Sequence, residues 1–288
     1  MSAKNEAPTG GGDITKYSPV PNTDPKYNDY ALRLPNVSFP VTTEADLVFV
    51  NGMNNSPENH RRAARQLATI TGQSVSGIYN QTGINGKEGF PNAIIDAIQC
   101  VHDQFLPVGR SSNLLTGFRY MSHPVASLAV GLARTSGLSR LSVVRKAERL
   151  AGEAVLSMNQ ASVALFRRLY HNAENGRKTI IVCHSQGNLI SANALWVLKH
   201  TRSWADRPVG NVRLFGLASP NASWPPNSKD GLKFTLYRDD RDPITLLSVP
   251  VVGQQPVTNR GPGYSMSTHK VASYFAFERF QKDLAKAL

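Results

Sequence analysis

The segment ADLVFVNG, residues 45–52, is an unbroken apolar run that ends in a turn, the mark of a strand buried on both faces. Ser56, Pro57 and Glu58 follow it with an N-cap, a first-turn proline and an acid suited to the helix dipole. Ala63, Ala64, Leu67 and Ile70 then recur at helical spacing. SVSGIYN (74–80) predicts a second strand, and beyond Pro91 the residues Ile94, Ile98, Val101 and Phe105 stripe one face of another helix. Leu141, Val144, Ala147, Ala151, Met158, Leu165 and Phe166 predict a long helix, or two, reaching Tyr170. KTIIVCHS is the next strand and 188–200 the next helix; VRLFGLAS (212–219) and LKFTLYR (232–238) are further strands, and 270–288 closes with a helix.

Strands alternating with helices predict an α/β fold, a mostly parallel central sheet with helices on both faces, spanning residues 45–288. Sites in such sheets lie beyond the carboxyl ends of the strands. The segments that matter are therefore NGMNNS, NQTG, HSQGN, ASPNAS and DDRDP.

Residues 1–44 carry Gly, Pro, Asn and Asp without helical or strand periodicity, and are expected to form a mobile or surface-draped arm. They contain no apolar core of the kind a Sec signal peptide needs. The most apolar region, 114–133, is interrupted by Arg119, His123 and Pro124, so no transmembrane helix is expected. A cytoplasmic location, or export by a specialised secretion system, is the resulting expectation. Two cysteines, Cys100 and Cys183, both in apolar runs, exclude a disulfide framework.

A net charge of +12, from 32 Lys and Arg against 20 Asp and Glu, favours acidic partners: an anionic membrane surface touched peripherally, or an acidic protein. Nucleic acid ranks last, because no recognition motif and no aromatic–basic interleaving accompanies the charge. No metal or cofactor is expected.

The candidate chemistry sits in IIVCHSQGNLI, 180–190, where a buried strand meets a helix across Ser185. Such an elbow exposes a serine hydroxyl and needs small residues two before and two after it. Gly187 is the sole glycine of the chain with a serine two positions earlier, and Cys183 stands where the G-x-S-x-G pattern has its first glycine. A helix-starting polar residue is the competing reading of Ser185, and the search for partners separates the two.

A nucleophilic serine requires a histidine to take its proton and a carboxylate to orient that histidine. Of the seven histidines, His184 adjoins the serine and should point away, and His200 ends the helix that the serine starts. His269 alone lies in a loop before the last helix, in the chain order Ser, acid, His. The acid must follow a strand, and LKFTLYRDDRDPITLL offers Asp242, ahead of Pro243, with Asp239 as the fallback. Asp239 and Asp240 read otherwise as turn residues paired with Arg238 and Arg241. Backbone donors for a developing oxyanion are expected at Gln186 N–H and at Met53 N–H, with Gly52 as the alternative to Met53. The Asn51 and Asn54 side chains would otherwise simply brace that turn.

With LVFVNGM, CHSQGN, the strand leading to Asp-Pro-Ile, and His269-x-x-x-x-Tyr274, the chain resembles the α/β-hydrolase superfamily over residues 45–288. Within it the Asp-Pro-Ile turn and His269 look like the lipase-type branch, and the outline is similar to bacterial lipase-like effectors of specialised secretion systems. The resemblance implies a lipase or phospholipase that cleaves acyl esters through an acyl-serine. The alternatives are a soluble carboxylesterase or thioesterase, an acyltransferase, or a non-catalytic interaction protein on the same scaffold. Residues 106–140 interrupt the strand–helix alternation and read as a helical lid over a greasy site, or as an ordinary packed excursion.

Overall fold

The computed structural model describes residues 8–19, 37–40, 45–52, 55–81, 149–150, 152–153, 156, 159–202, 211–219, 224, 232–242, 257–259 and 269–288. The strands are β1 (Ile14–Tyr17), β2 (Ala45–Val50), β3 (Val75–Ile78), β4 (Lys178–His184), β5 (Val212–Leu217), β6 (Leu232–Asp239) and β7 (Val257–Asn259). The helices are α1 (Pro57–Thr71), α2 (Gln160–Glu174), α3 (Gly187–Arg202), α4 (Val271–Phe275) and α5 (Glu278–Ala287).

The seven strands of the described residues form one sheet in the order β1-β3-β2-β4-β5-β6-β7. Every pairing is parallel except β1 with β3. From the centre the chain works outward in both directions, so β2 and β4 flank the point where strand order reverses. In open α/β sheets the crevice beyond such a switch point is where ligands bind.

Side chains alternate across the sheet as the two-residue period of a strand demands. Val48, Val50, Ile181, Cys183 and Leu214 pack under α2 and α3, while Leu47, Phe49, Ile180, Val182 and Phe215 pack under α1, α4 and α5. The central strands read as continuous apolar runs because both faces are covered.

Helix α1 starts as its sequence dictates. Ser56 caps it by accepting the Asn59 N–H at 3.2 Å, Pro57 occupies the first turn, and Gly72 ends it in the left-handed region at φ 66°. At the opposite end of the sheet from the switch point, Asp46 is clamped. Arg168 of α2 reaches its two oxygens at 2.6 and 2.8 Å, and Asn172 donates at 2.7 Å. Burial would raise the Asp46 carboxyl, but the bonds from Arg168 and Asn172 and the charges of Arg168 and Arg177 outweigh it and hold it below its ordinary value.

The structure departs from the sequence reading in three places. Within the N-terminal stretch 1–44, residues 14–17 are not a draped arm but the antiparallel edge strand β1, seated by Tyr17 at 0% exposure. The short strand β7 lies where no apolar run announced it. The C-terminal helix breaks at Phe277, whose backbone is extended (φ −68°, ψ 114°), and Gln281 Nε2 satisfies the Phe275 carbonyl left open by the break. The break lets Phe275 and Phe280 stack 5.9 Å apart against the sheet.

The predicted helix after Pro91, the segment 106–140, Cys100 and the upper part of the long helix before residue 149 lie outside the described residues. Among the described residues, no helix is long and apolar enough to cross a membrane.

Candidate active site

Strand β4 ends at His184 and α3 begins at Gly187, so two residues make the turn between them. Ser185 takes that turn in the left-handed region at φ 53°. For a residue with a side chain this costs on the order of 1 kcal/mol, and it persists only where the surroundings hold it. Here they do. The Ser185 N–H donates to the Leu217 carbonyl of β5 at 3.0 Å. Asn188, in the first turn of α3, donates from Nδ2 to the carbonyls of Ser185 and Leu217 at 2.8 and 2.9 Å. Asn188 Oδ1 in turn accepts the Cys183 thiol at 3.4 Å. Cysteine thus fits the place of the first motif glycine by pointing into the core beneath α3. Burial, partly countered by a bond from Ser191, pushes its thiol up to about 12, so it stays neutral.

The two glycines around the elbow have steric reasons. A Cβ on Gly187 would lie 2.5 Å from the Val50 carbonyl oxygen and 2.8 Å from that of Asn51, which are backbone atoms without freedom to move aside. A Cβ on Gly52 would lie 2.6 Å from the Ser185 Cβ. The end of β2 therefore presses directly on the serine.

Three of the sequence candidates meet. His269 Nε2 lies 3.1 Å from Ser185 Oγ, and His269 Nδ1 lies 2.9 Å from Asp242 Oδ2. An ionised carboxylate only accepts, so Nδ1 carries the proton and Nε2 offers its lone pair to the serine hydroxyl. Asp242 is fully buried and Ser185 is 2% exposed. The fallback acid is otherwise engaged: Arg241 binds both Asp239 oxygens, at 2.8 and 2.6 Å, and donates its own N–H at 3.0 Å. Arg238 pairs with Asp240, so both acids are held by arginines, Asp239 at the last position of β6 and Asp240 in the turn after it. The Asp242 N–H bonds the Asp239 carbonyl at 3.0 Å, which closes the turn that aims Asp242 at His269.

Two groups at the site were not assigned these contacts from sequence. His184 turns away from the serine hydroxyl, and its Nε2 lies 2.7 Å from the His269 backbone carbonyl. A carbonyl accepts, so His184 carries its proton on Nε2. Burial first, and the neighbouring His269 second, push His184 down to about 3 against that bond and the Asp242 charge. Tyr274, quoted within the His269-x-x-x-x-Tyr274 pattern, donates its hydroxyl to Asp242 Oδ2 at 2.7 Å. No local pattern reveals either contact, since each bridges elements far apart in the chain.

At the rim beside the serine, Asn51 joins β2 to β3. Its Oδ1 accepts the Asn80 N–H at 2.8 Å and its Nδ2 donates to the carbonyls of Gly52 and Asn80. Asn51 thus braces the turn. Asn80 Nδ2 donates to Gln186 Oε1 at 2.9 Å, which ties the residue after the serine to the same clasp. The Gln186 N–H has no backbone acceptor among the described residues. Met53 and Asn54 lie outside those residues, while Gly52 stands beside Ser185.

The arrangement can pass a proton from a hydroxyl to an imidazole whose orientation a buried carboxylate fixes. Among the described residues no cluster of His, Cys, Asp or Glu could hold a metal ion. No protein-family model, no curated protein and no solved structure matches the chain.

Proposed function

We propose that this chain is a serine ester hydrolase of the α/β-hydrolase type, with Ser185 as nucleophile, His269 as general base and Asp242 as the orienting acid. The observation that carries this is the continuous chain of contacts from Ser185 Oγ through His269 to Asp242, whose members lie 84 and 27 positions apart in sequence. A serine that merely started a helix would need no such partners.

In the proposed reaction Ser185 Oγ attacks the ester carbonyl carbon while His269 Nε2 takes the hydroxyl proton. The tetrahedral intermediate collapses as that proton passes to the departing alcohol, leaving an acyl-serine. Water then gives a proton to His269, attacks the acyl carbon, and the serine recovers its proton as the carboxylic acid leaves. The proposed oxyanion donors are the Gln186 N–H and the backbone N–H of Met53, with that of Gly52 as the alternative. The charge excess of +12 supports peripheral contact with an anionic membrane surface, and so a lipase or phospholipase working there.

The test has two parts. A fluorophosphonate probe should label the wild-type chain and fail on Ser185→Ala. Product analysis on a panel of phospholipids and neutral esters, with and without an added alcohol acceptor, then names the substrate and separates hydrolysis from acyl transfer. Equal labelling or turnover by Ser185→Ala would exclude the mechanism.

A further inference from the structure

Tyr274 stands outside the three-residue relay and yet touches it. Its hydroxyl donates to Asp242 Oδ2 at 2.7 Å, the same oxygen that faces His269 Nδ1 at 2.9 Å. The hydroxyl oxygen also accepts the Asp239 N–H at 3.3 Å. With that lone pair engaged, the phenolic proton is directed at Asp242. Tyr274 and Asp242 are both at 0% exposure, so bulk water does not compete with the phenol for the acid.

We propose that Tyr274 is a positioning residue for the relay, the donor that holds Asp242 Oδ2 where His269 Nδ1 requires it. This rests on the serine-hydrolase reading. A carboxylate oxygen has two lone-pair directions, and two donors on one oxygen leave the carboxylate a single orientation. Tyr274 also rides on α4, which begins just after His269, so imidazole and phenol approach the acid on one rigid piece of chain. Among the described residues, the neighbouring charged and titratable groups are Asp239 at the end of β6, Arg241 from the turn after it, and His184 from the end of β4, whose ring is 5.9 Å from that of Tyr274. Arg241 is spent on Asp239, and His184 bonds the His269 backbone. The phenol is thus a neutral donor bonded directly to the acid.

A donated hydroxyl disperses carboxylate charge and so weakens the pull of Asp242 on an imidazolium. Removing it should favour the imidazolium and let the acid swing. The experiment follows the rate of fluorophosphonate labelling of the full chain against pH, which needs no knowledge of the substrate.

In Tyr274→Phe the plateau rate should fall about tenfold, and the midpoint of the acid limb should move up by about half a pH unit. Site-specific 3,5-difluorotyrosine at 274 keeps the shape and strengthens the donor, so the midpoint should move down. Burial first, and the bond to Asp242 second, raise the Tyr274 phenol well above its ordinary value, so the fluorinated phenol keeps its proton through this range.

Opposite shifts in the two variants support the proposal. Wild-type midpoints and rates in both would overturn it, as would a Phe variant that only melts earlier. If the Phe variant does not fold, the fluorinated one decides alone. Absence of any labelling in the wild type would remove the hydrolase reading itself, an outcome distinct from labelling without a shift.

Discussion

His60 of α1 is fully buried among aromatic rings, with Tyr17, Phe49 and Tyr79 centred 5.8, 5.7 and 5.5 Å away. Neither ring nitrogen has a hydrogen-bond partner among the described residues. Burial pushes the imidazole from 6.5 down to about 3, so the folded chain keeps it neutral where an unfolded chain would protonate it. Protons therefore bind the unfolded state preferentially between those two values. The stability that His60 allows is whole above pH 6.5 and drains away as the pH falls towards 3. With 6.5 and 3 as the two values, the loss between pH 7 and pH 5 comes to about 2 kcal/mol.

His60→Leu keeps a similar volume and removes both orphan nitrogens. At pH 7 its stability should lie within about 1 kcal/mol of wild type, since no hydrogen bond is lost. At pH 5 it should exceed wild type by about 2 kcal/mol. Urea unfolding at pH 7, 6 and 5, followed by circular dichroism, measures both. His184 titrates alike in the two proteins and cancels in the difference. Parallel pH dependence in wild type and His60→Leu would refute the reasoning, because it would mean that His60 does not resist protonation in the fold.

Three further outcomes are expected. Gly187→Ala places a methyl group 2.5 Å from the Val50 carbonyl oxygen; it should cost about 1–3 kcal/mol by thermal melting and slow probe labelling at least about tenfold. Arg168→Met leaves Asp46 buried without its bidentate partner. Because the arginine side chain is itself 32% exposed, the loss by urea unfolding should be about 2–3 kcal/mol, below the cost at a fully buried pair. Since Asp46 is held below 3.8, that loss should be full above pH 4 and shrink as the carboxyl protonates at lower pH. Asp242→Asn should lower the labelling rate by about two to four orders of magnitude, whereas Asp239→Asn should act mainly on stability through its bonds to Arg241. A larger catalytic loss in Asp239→Asn would reverse the assignment of the acid.

Strands β2, β4 and β5 were legible because residues covered on both faces must be largely apolar, and short runs such as LVFV and IIVC, each bounded by a turn, fit a buried strand far better than a loop or a surface helix. Strands β1 and β7 were not, because edge strands are short and half-solvated and carry residues such as Lys16 and Asn259 that read as loop. The break at Phe277 escaped because helical periodicity persists through it, and the ring stacking of Phe275 on Phe280 that goes with it is a tertiary contact. At the site, chain order and location after a strand isolated Ser185, Asp242 and His269, and the structure brings these three together. The supporting contacts of Asn188, His184 and Tyr274 join elements that approach only once the sheet is assembled, so no local pattern announces them.

The order of the relay along the chain also sets a timetable. During synthesis the hydroxyl at 185 leaves the ribosome well before the imidazole at 269, and α4 cannot dock until the sheet beneath it exists. A half-made polypeptide thus has neither imidazole nor carboxylate beside its serine hydroxyl. A nick between positions 186 and 268 that let the last segment drift would part the hydroxyl from the imidazole in the finished protein as well.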